Sequence, residues 1–518
     1  MSETVHFSLK TTIKGTSLIF LGMVSGILLW FCSKIFIIRH TTKEELGLYS
    51  LSVAIAGILS IIATLGLQEG VARYISILIG EGKKDEAKAI GGDALVIALL
   101  SGLCFCSLLF ASSSILSRYI FYKTNLQAPL QVIALFIPFS VTAVVMGGIL
   151  RGHNSFTPKV YADVGQPFFF LAFLSVFFLL KFSFTGIMYA YVLSMIIAFF
   201  MIGYYTLHKV QLQPFSLTIR AWNKELVKFS LPVLAISVLA IILGWTDTLM
   251  LGRYAKAEDV GIYDVSISLA KLLTFPLNAI SFVLMPIAGE MYARKQNAEL
   301  GRTYQVLTKW IFAITFPVFF ILFLFPEMTI TFLFGERFLD ASMPLRILAI
   351  CFLLNTFMGA NGLLLLVMGL SRILMYVSLY GMVINIGLNY ILIKHLGYGV
   401  IGASVSTLIS YIAINVLIAW ILYKRSGIHP LTAKYIKPII GASIIGLMIY
   451  VLAKNMVLYL WMLPLYFLLF LFGYALSIML TRSIDEEDAF LFTMVMDKLG
   501  VPGPMTESLM KFISRTCQ

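Results

Sequence analysis

The chain has 518 residues, 60% of them hydrophobic and only 12% charged, with a formal net charge of +13. Soluble domains carry about 25% charged residues, so this composition excludes a water-soluble globular protein and implies a polytopic membrane protein. No HExxH, P-loop or GxSxG motif occurs, and the five cysteines have no metal or disulfide spacing, which argues against the corresponding metal, nucleotide and serine-nucleophile chemistries.

A membrane-spanning helix needs about 20 apolar residues. Apolar runs of that kind fall at 15–38, 46–68, 90–115, 127–150, 164–181, 186–207, 230–252, 260–286, 309–326, 342–368, 373–393, 399–423, 435–454 and 460–480. The expected fold is an all-α membrane protein of about fourteen transmembrane helices with short loops. The first run is too long for a signal-peptide core and is expected to be retained. Beyond Arg482 the chain turns polar, with short amphipathic stretches around 485–499 and 505–516 suited to an interface.

The second and eighth runs are introduced by related segments. RHTTKEELGLYSLSVAIA at 39–56 and RYAKAEDVGIYDVSISLA at 253–270 align at an offset of 214. Arg39/Arg253, Glu44/Glu258, Gly47/Gly261, Tyr49/Tyr263, Ser52/Ser266 and Ala56/Ala270 are identical. Duplicated segments flanked by apolar runs mark a transporter built from two like halves. The expected organisation is a six-helix bundle over 1–207, a second over 208–423, two additional helices over 424–480 and a cytoplasmic amphipathic tail over 481–518. An even number of helices per half gives the copies one orientation, with a pseudo-twofold axis along the membrane normal. In these repeats Gly47/Gly261 and Tyr49/Tyr263 read as helix-entry and interfacial-belt residues.

With the N-terminus placed inside, 25 Lys and Arg fall on the inner side and 11 on the outer side. This bias predicts both termini in the cytoplasm of a multi-pass protein of the cell membrane. Attraction to anionic lipid accounts for the basic charge without nucleic acid.

Ionisable groups inside spans are costly and are functional leads. Lys271 is the deepest, and Asp264, Lys271 and Asn278 are spaced seven apart, which forms one polar stripe on a continuous helix. That stripe could line a cavity that holds a sugar-pyrophosphate headgroup, or Lys271 could pair with Asp264 or a helix dipole. Pro276 is a potential kink. Lys34 in the first helix and Asp247 in the seventh lie at neighbouring repeat positions, so they could pair, or Lys34 could snorkel to the interface. Asp247 and Asp264 are candidate Na⁺ or H⁺ sites. Arg73 and Arg151, at the inner ends of the second and fourth helices, could greet phosphate, or could serve only as positive-inside residues.

LGLYSLSVAI at 46–55, LRGHNSFTPKVY at 150–161, FSLPVLAISVLAIILGWTDTLMLGRY at 229–254, VGIYDVSISL at 260–269 and FGERFLDASMPLRILAI at 334–350 together resemble the polysaccharide-transporter branch of the multidrug/oligosaccharidyl-lipid/polysaccharide flippase superfamily, over roughly 10–480. That resemblance implies a flippase carrying a polyprenyl-(pyro)phosphate-linked oligosaccharide from the inner to the outer leaflet for cell-surface glycan assembly. With no ATP-binding domain, transport is expected to draw on an ion gradient of Na⁺ or H⁺, the membrane potential or a substrate gradient, and no cofactor, no enzymatic activity and a monomer are expected. An ion-coupled multidrug/cation antiporter of the same superfamily is the alternative. A membrane-embedded glycan polymerase is a third reading, but the outer loops are too short to carry one.

Overall fold

A computed structural model describes residues 22, 24–155, 157–182, 184–210, 224–430, 433–454 and 462–480. The expected amphipathic tail and the start of the first run lie outside the described residues. Every regular element among those described is helical. Among the described residues, eleven helices are long and apolar enough to cross a membrane, and two shorter apolar stretches, Gly441–Val451 and Pro464–Ser477, lie near the C-terminal end. The protein is therefore an all-helical, multi-pass membrane protein. The eleven correspond to the second to twelfth expected runs, the two shorter stretches fall in the thirteenth and fourteenth, and the first run lies partly outside the described residues.

Two compact units emerge. One runs to Val265 and includes Asn385–Ala403; the other comprises Ser266–Ile384 and the chain from Ser404 onward.

In the first unit, α1 (24–40) precedes α2 (Lys43–Ala63). Thr42 caps α2 and Glu45 returns to the Thr42 amide at 2.8 Å, a capping box. The expected loop at 69–89 is instead helical as far as Gly80: α3 (Leu67–Gly80) starts after Leu65 and Gly66, both left-handed (φ 52° and 70°). Gly66 is needed there twice over. It takes the left-handed turn without strain, and a Cβ on it would lie 2.3 Å from the Ser230 carbonyl oxygen of α9 (Lys224–Tyr254). Helices α4 (Lys84–Ile115), α5 (Gln127–Ala134) and α6 (Phe136–Gly152) pack beside α2 and α3, while α7 (Thr157–Leu179) pairs with α8 (Phe184–Val210).

The repeated segment meets its copy directly. α10 (Ala257–Ala270) crosses α2 so closely that a Cβ on Gly47 would sit 1.8 Å from the Ala257 carbonyl oxygen, and one on Gly261 2.2 Å from that of Lys43. The contact is reciprocal, and only glycine allows it. In lipid, helices associate through such close backbone packing rather than through hydrophobic transfer.

In the second unit, the expected continuous run 260–286 is broken. A four-residue 3₁₀ turn, Lys271–Thr274, separates α10 from α11 (Phe275–Ala293), with Pro276 in the first turn of α11. Then come α12 (Asn297–Leu324), α13 (Pro326–Phe334), α14 (Ser342–Phe357), α15 (Asn361–Val367), α16 (Ser371–Asn389), α17 (Gly399–Ser426), α18 (Ala433–Lys454) and α19 (Met462–Leu480). One core gathers Leu284, Tyr304, Leu364 and Leu422. Another is aromatic: Phe320 of α12 stacks on Phe470 of α19 with centroids 3.7 Å apart and planes within 6°. Gly446 of α18 faces the Phe320 ring, which a Cβ would approach to 2.1 Å. This ladder docks the two C-terminal helices onto α12.

Candidate functional site

Four helices of the first unit bring their ionisable groups together in two neighbouring clusters, both built on α10. Tyr263 and Asp264 are consecutive, so their side chains leave the helix about 100° apart and serve different partners.

The first cluster is an ion pair. Lys34 of α1 donates to the Asp264 carboxylate, and both side chains are largely enclosed, at 19% and 11% exposure. The Lys34 ammonium also lies 5.5 Å from the ring centroid of Tyr49 on α2. Behind Tyr49 is a wall of rings. Tyr191 packs against Tyr49 (6.3 Å), Phe136 (4.9 Å), Phe170 (5.4 Å) and Trp30 (5.9 Å). These rings keep the local dielectric low, which strengthens the pair, and Trp30, Phe136 and Tyr191 are themselves only half-buried.

The second cluster surrounds a buried carboxylate. Asp247 of α9 accepts from the Tyr263 hydroxyl at 2.6 Å, from Asn389 Nδ2 at 2.7 Å and from Asn385 Nδ2 at 3.1 Å. All four residues are buried, and the Asn389 carbonyl oxygen has no hydrogen-bond partner.

The duplicated tyrosine therefore works twice. Tyr49 presents its face to a cation, and Tyr263 donates its hydroxyl to an anion. The expectation that these two are interfacial-belt residues is corrected, since both are buried. Pairing also differs from the sequence expectation. Lys34 is taken up by Asp264 of α10, not by Asp247, whose carboxylate accepts from Tyr263, Asn385 and Asn389. Asp264 in turn is engaged by Lys34.

Lys271 and Asn278 are exposed whereas Asp264 is buried. The seven-residue stripe assumed one unbroken α-helix. Four residues at 3.0 rather than 3.6 per turn rotate the residues beyond them by about 80°, so the register is lost at Lys271. Arg151, half-buried, forms a two-pronged bridge from α6 to Glu69 of α3, at 2.8 and 3.3 Å. Arg73 is exposed. Among the described residues, no group of three His, Cys, Asp or Glu could hold a metal ion.

Asn385, Asn389, Tyr191 and Trp30 escaped sequence reasoning. A signal for the asparagines was available: NIGLN at 385–389 places two amides one turn apart inside an apolar run, where unpaired polar groups are costly.

A family of membrane proteins fits this architecture. The family model described as polysaccharide biosynthesis protein matches residues 37–343, more than half of the chain. The chain belongs to this family. It is thereby a member of the flippase superfamily that the sequence segments resemble. As a polysaccharide biosynthesis family protein it is 29% identical to a teichuronic acid biosynthesis protein of Bacillus subtilis (strain 168) over 132 residues, covering 25% of this chain and 27% of that protein. The match thus spans about a quarter of that relative's length. Stage V sporulation protein B of the same organism is 21% identical over 433 residues, covering 79% of this chain and 83% of that one. A probable low-salt glycan biosynthesis flippase of Haloferax volcanii is 23% identical over 174 residues, 34% of this chain and 36% of the relative. Among solved structures, a lipid II flippase in an inward closed conformation superposes with TM-score 0.71 at 13% identity over 89% of this chain and 97% of the other. An inward-facing multidrug resistance transporter gives 0.67 at 18%, covering 77% and 94%. These likenesses establish the fold.

Proposed function

We propose that the protein flips a polyprenyl-(pyro)phosphate-linked oligosaccharide from the inner to the outer leaflet. The observation that carries this reading is the Lys34–Asp264 pair beside a wall of aromatic rings within the membrane helices of a polysaccharide biosynthesis protein. An incoming pyrophosphate competes with the Asp264 carboxylate for Lys34, and half-buried ring faces suit the apolar faces of sugars. Displacing the internal carboxylate gives the substrate a differential affinity for the opened state, which a conformational cycle requires. Lys271 and Asn278 are proposed to meet the substrate separately, and Arg73 to meet it at the cytoplasmic mouth. Arg151, held by Glu69, positions α3 against α6.

Asp247 is the proposed coupling site. Its asparagines serve the carboxylate as donors, and rotated by 180° each offers a carbonyl oxygen to a Na⁺ ion held by Asp247. A hard monovalent cation or a proton fits this all-oxygen set. The organisation as two six-helix halves draws support from the turns. Left-handed residues recur at Gly82 and Lys295, Tyr122 and Gly335, Asn154 and Gly369, and Lys181 and Gly397, at offsets of 213 to 216. The helix-capping residues Lys83 and Gln296 share φ −84° and ψ 59°. Fourteen spans with both termini cytoplasmic remain part of the proposal; a cytoplasm-dependent reporter fused after Gln518 should be active.

The antiporter reading predicts the opposite use of the ion pair, with a cationic drug taking Asp264 from Lys34. Proteoliposomes decide between them. Lys34→Ala should abolish flipping of a fluorescent polyprenyl-pyrophosphate oligosaccharide, with Lys34→Arg retaining more. Transport of a cationic dye that depends on Asp264 would overturn the flippase assignment.

A further inference from the structure

The end of α9 and the π-helical turn Tyr390–His395 that follows α16 bring together three cations, Arg253, Lys394 and Lys123. Arg253 lies 4.5 Å from the Tyr122 ring centroid and 5.4 Å from that of Tyr254, and among the described residues it makes neither a hydrogen bond nor an ion pair. Its guanidinium is held by aromatic faces, which leaves its donor edge unused. Lys394 approaches the same Tyr254 ring at 5.5 Å and the Tyr390 ring at 4.5 Å, and donates to the Tyr390 hydroxyl at 2.8 Å. No carboxylate among the described residues meets it.

Lys123 adds the third charge but no free donor. Its ammonium donates to the carbonyls of Gly252, Ala255 and Phe121, closing the C-terminal end of α9. Burial holds its pKa below the ordinary value, Asp259 opposes that shift, and the positive charge of Arg253 adds to it. The nearby acids have other work: Asp259 accepts from the Lys256 amide at 3.0 Å, and Glu44 from Asn125 at 3.3 Å. Tyr122 itself sits at φ 53°, a left-handed conformation that a bulky residue adopts only when its surroundings enforce it. The backbone closes the turn here, with the Lys123 amide donating to the Ser117 carbonyl at 2.7 Å, and the Lys123 side chain ties the turn to α9. Aromatic faces and the Lys123–carbonyl bonds hold these cationic groups together against their mutual repulsion.

We propose that Arg253 and Lys394 form a binding site for a phosphate-type anion at this end of the helices, with Tyr122, Tyr254 and Tyr390 as its walls. The planar fork of Arg253 suits two phosphate oxygens, and Lys394 supplies a second point charge. Exposed tyrosines with basic residues are typical of a membrane–water interface, so the phosphate belongs either to an anionic phospholipid or to a freely diffusing or substrate-borne (pyro)phosphate.

The test uses the full chain in nanodiscs and inorganic pyrophosphate as probe, at constant ionic strength. In phosphatidylcholine discs, saturable binding by calorimetry is expected, weakened about tenfold or more by Arg253→Gln/Lys394→Gln, since removing one charge-assisted hydrogen bond lowers affinity by roughly a factor of ten. Lys394→Gln alone, at an exposed position, should weaken it without disturbing the fold, and Arg253→Lys/Lys394→Arg should keep most of it. If phosphatidylglycerol in the discs competes with pyrophosphate, the site takes lipid phosphate. If it does not, the site takes the free or substrate-borne group. Absence of saturable binding in both disc types, or equal affinity in wild type and the charge-neutral variants, overturns the proposal.

Discussion

Neutralising both members of the Lys34–Asp264 pair should cost less than the sum of neutralising each alone. Exposed ion pairs contribute up to about 1 kcal/mol, whereas stripping one partner from a fully buried pair costs about 3–5 kcal/mol. Side-chain exposures of 19% and 11% place this pair between those limits, at about 2 kcal/mol. Lys34 also gives up its contact with the Tyr49 face, roughly 0.5–1 kcal/mol. Lys34→Met is thus expected to cost about 3 kcal/mol and Asp264→Asn about 2 kcal/mol. The double variant, with no stranded charge, should fall short of that sum by about 2 kcal/mol, or about 30-fold in an equilibrium constant. Unfolding free energies in mixed micelles, and flipping rates in proteoliposomes, supply the cycle. A parallel Lys34→Met/Asp247→Asn cycle should be additive, because Asp247 is bonded to Tyr263, Asn385 and Asn389 instead. Additivity within about 0.5 kcal/mol for Lys34 and Asp264, or strong coupling of Lys34 to Asp247, would refute the reasoning.

Gly47→Ala and Gly261→Ala each push a methyl into an opposing backbone carbonyl, at 1.8 and 2.2 Å. Overpacking of this kind costs about 1–3 kcal/mol, so both variants should unfold at lower temperature in detergent; unchanged melting of either contradicts the crossing. Lys123 has its native pKa below the ordinary 10.5, so between those values the unfolded chain binds more protons. Stability should therefore rise as pH is raised toward 10.5, and the rise should be smaller in Lys123→Gln than in wild type when melting is compared across alkaline pH. Phe470→Ala removes the ring stacked on Phe320 and should cost about 3–5 kcal/mol. Limited proteolysis should then release a C-terminal fragment carrying α19 sooner than in wild type.

The sequence by itself determined the class, the repeat and much of the local structure. Apolar runs of about 20 residues cannot be housed in water, and that alone requires a membrane protein. The repeated acids Glu45 and Asp259 each reach back to a helix-capping amide, that of Thr42 or Lys256, a local interaction contained within four residues that the sequence reading passed over. Gly47 and Gly261 stood out by identity, but their reason, a backbone-to-backbone crossing, lies 214 positions away. Only the tertiary structure decided which partner Lys34 takes, why Tyr49 and Tyr263 recur, and that Asn385 and Asn389 close on Asp247. These choices depend on how each helix is rotated about its own axis. In a helix that is apolar on every side, the hydrophobic pattern barely constrains that rotation, so it is the packing of glycine against backbone and ring against ring that fixes which polar groups face each other.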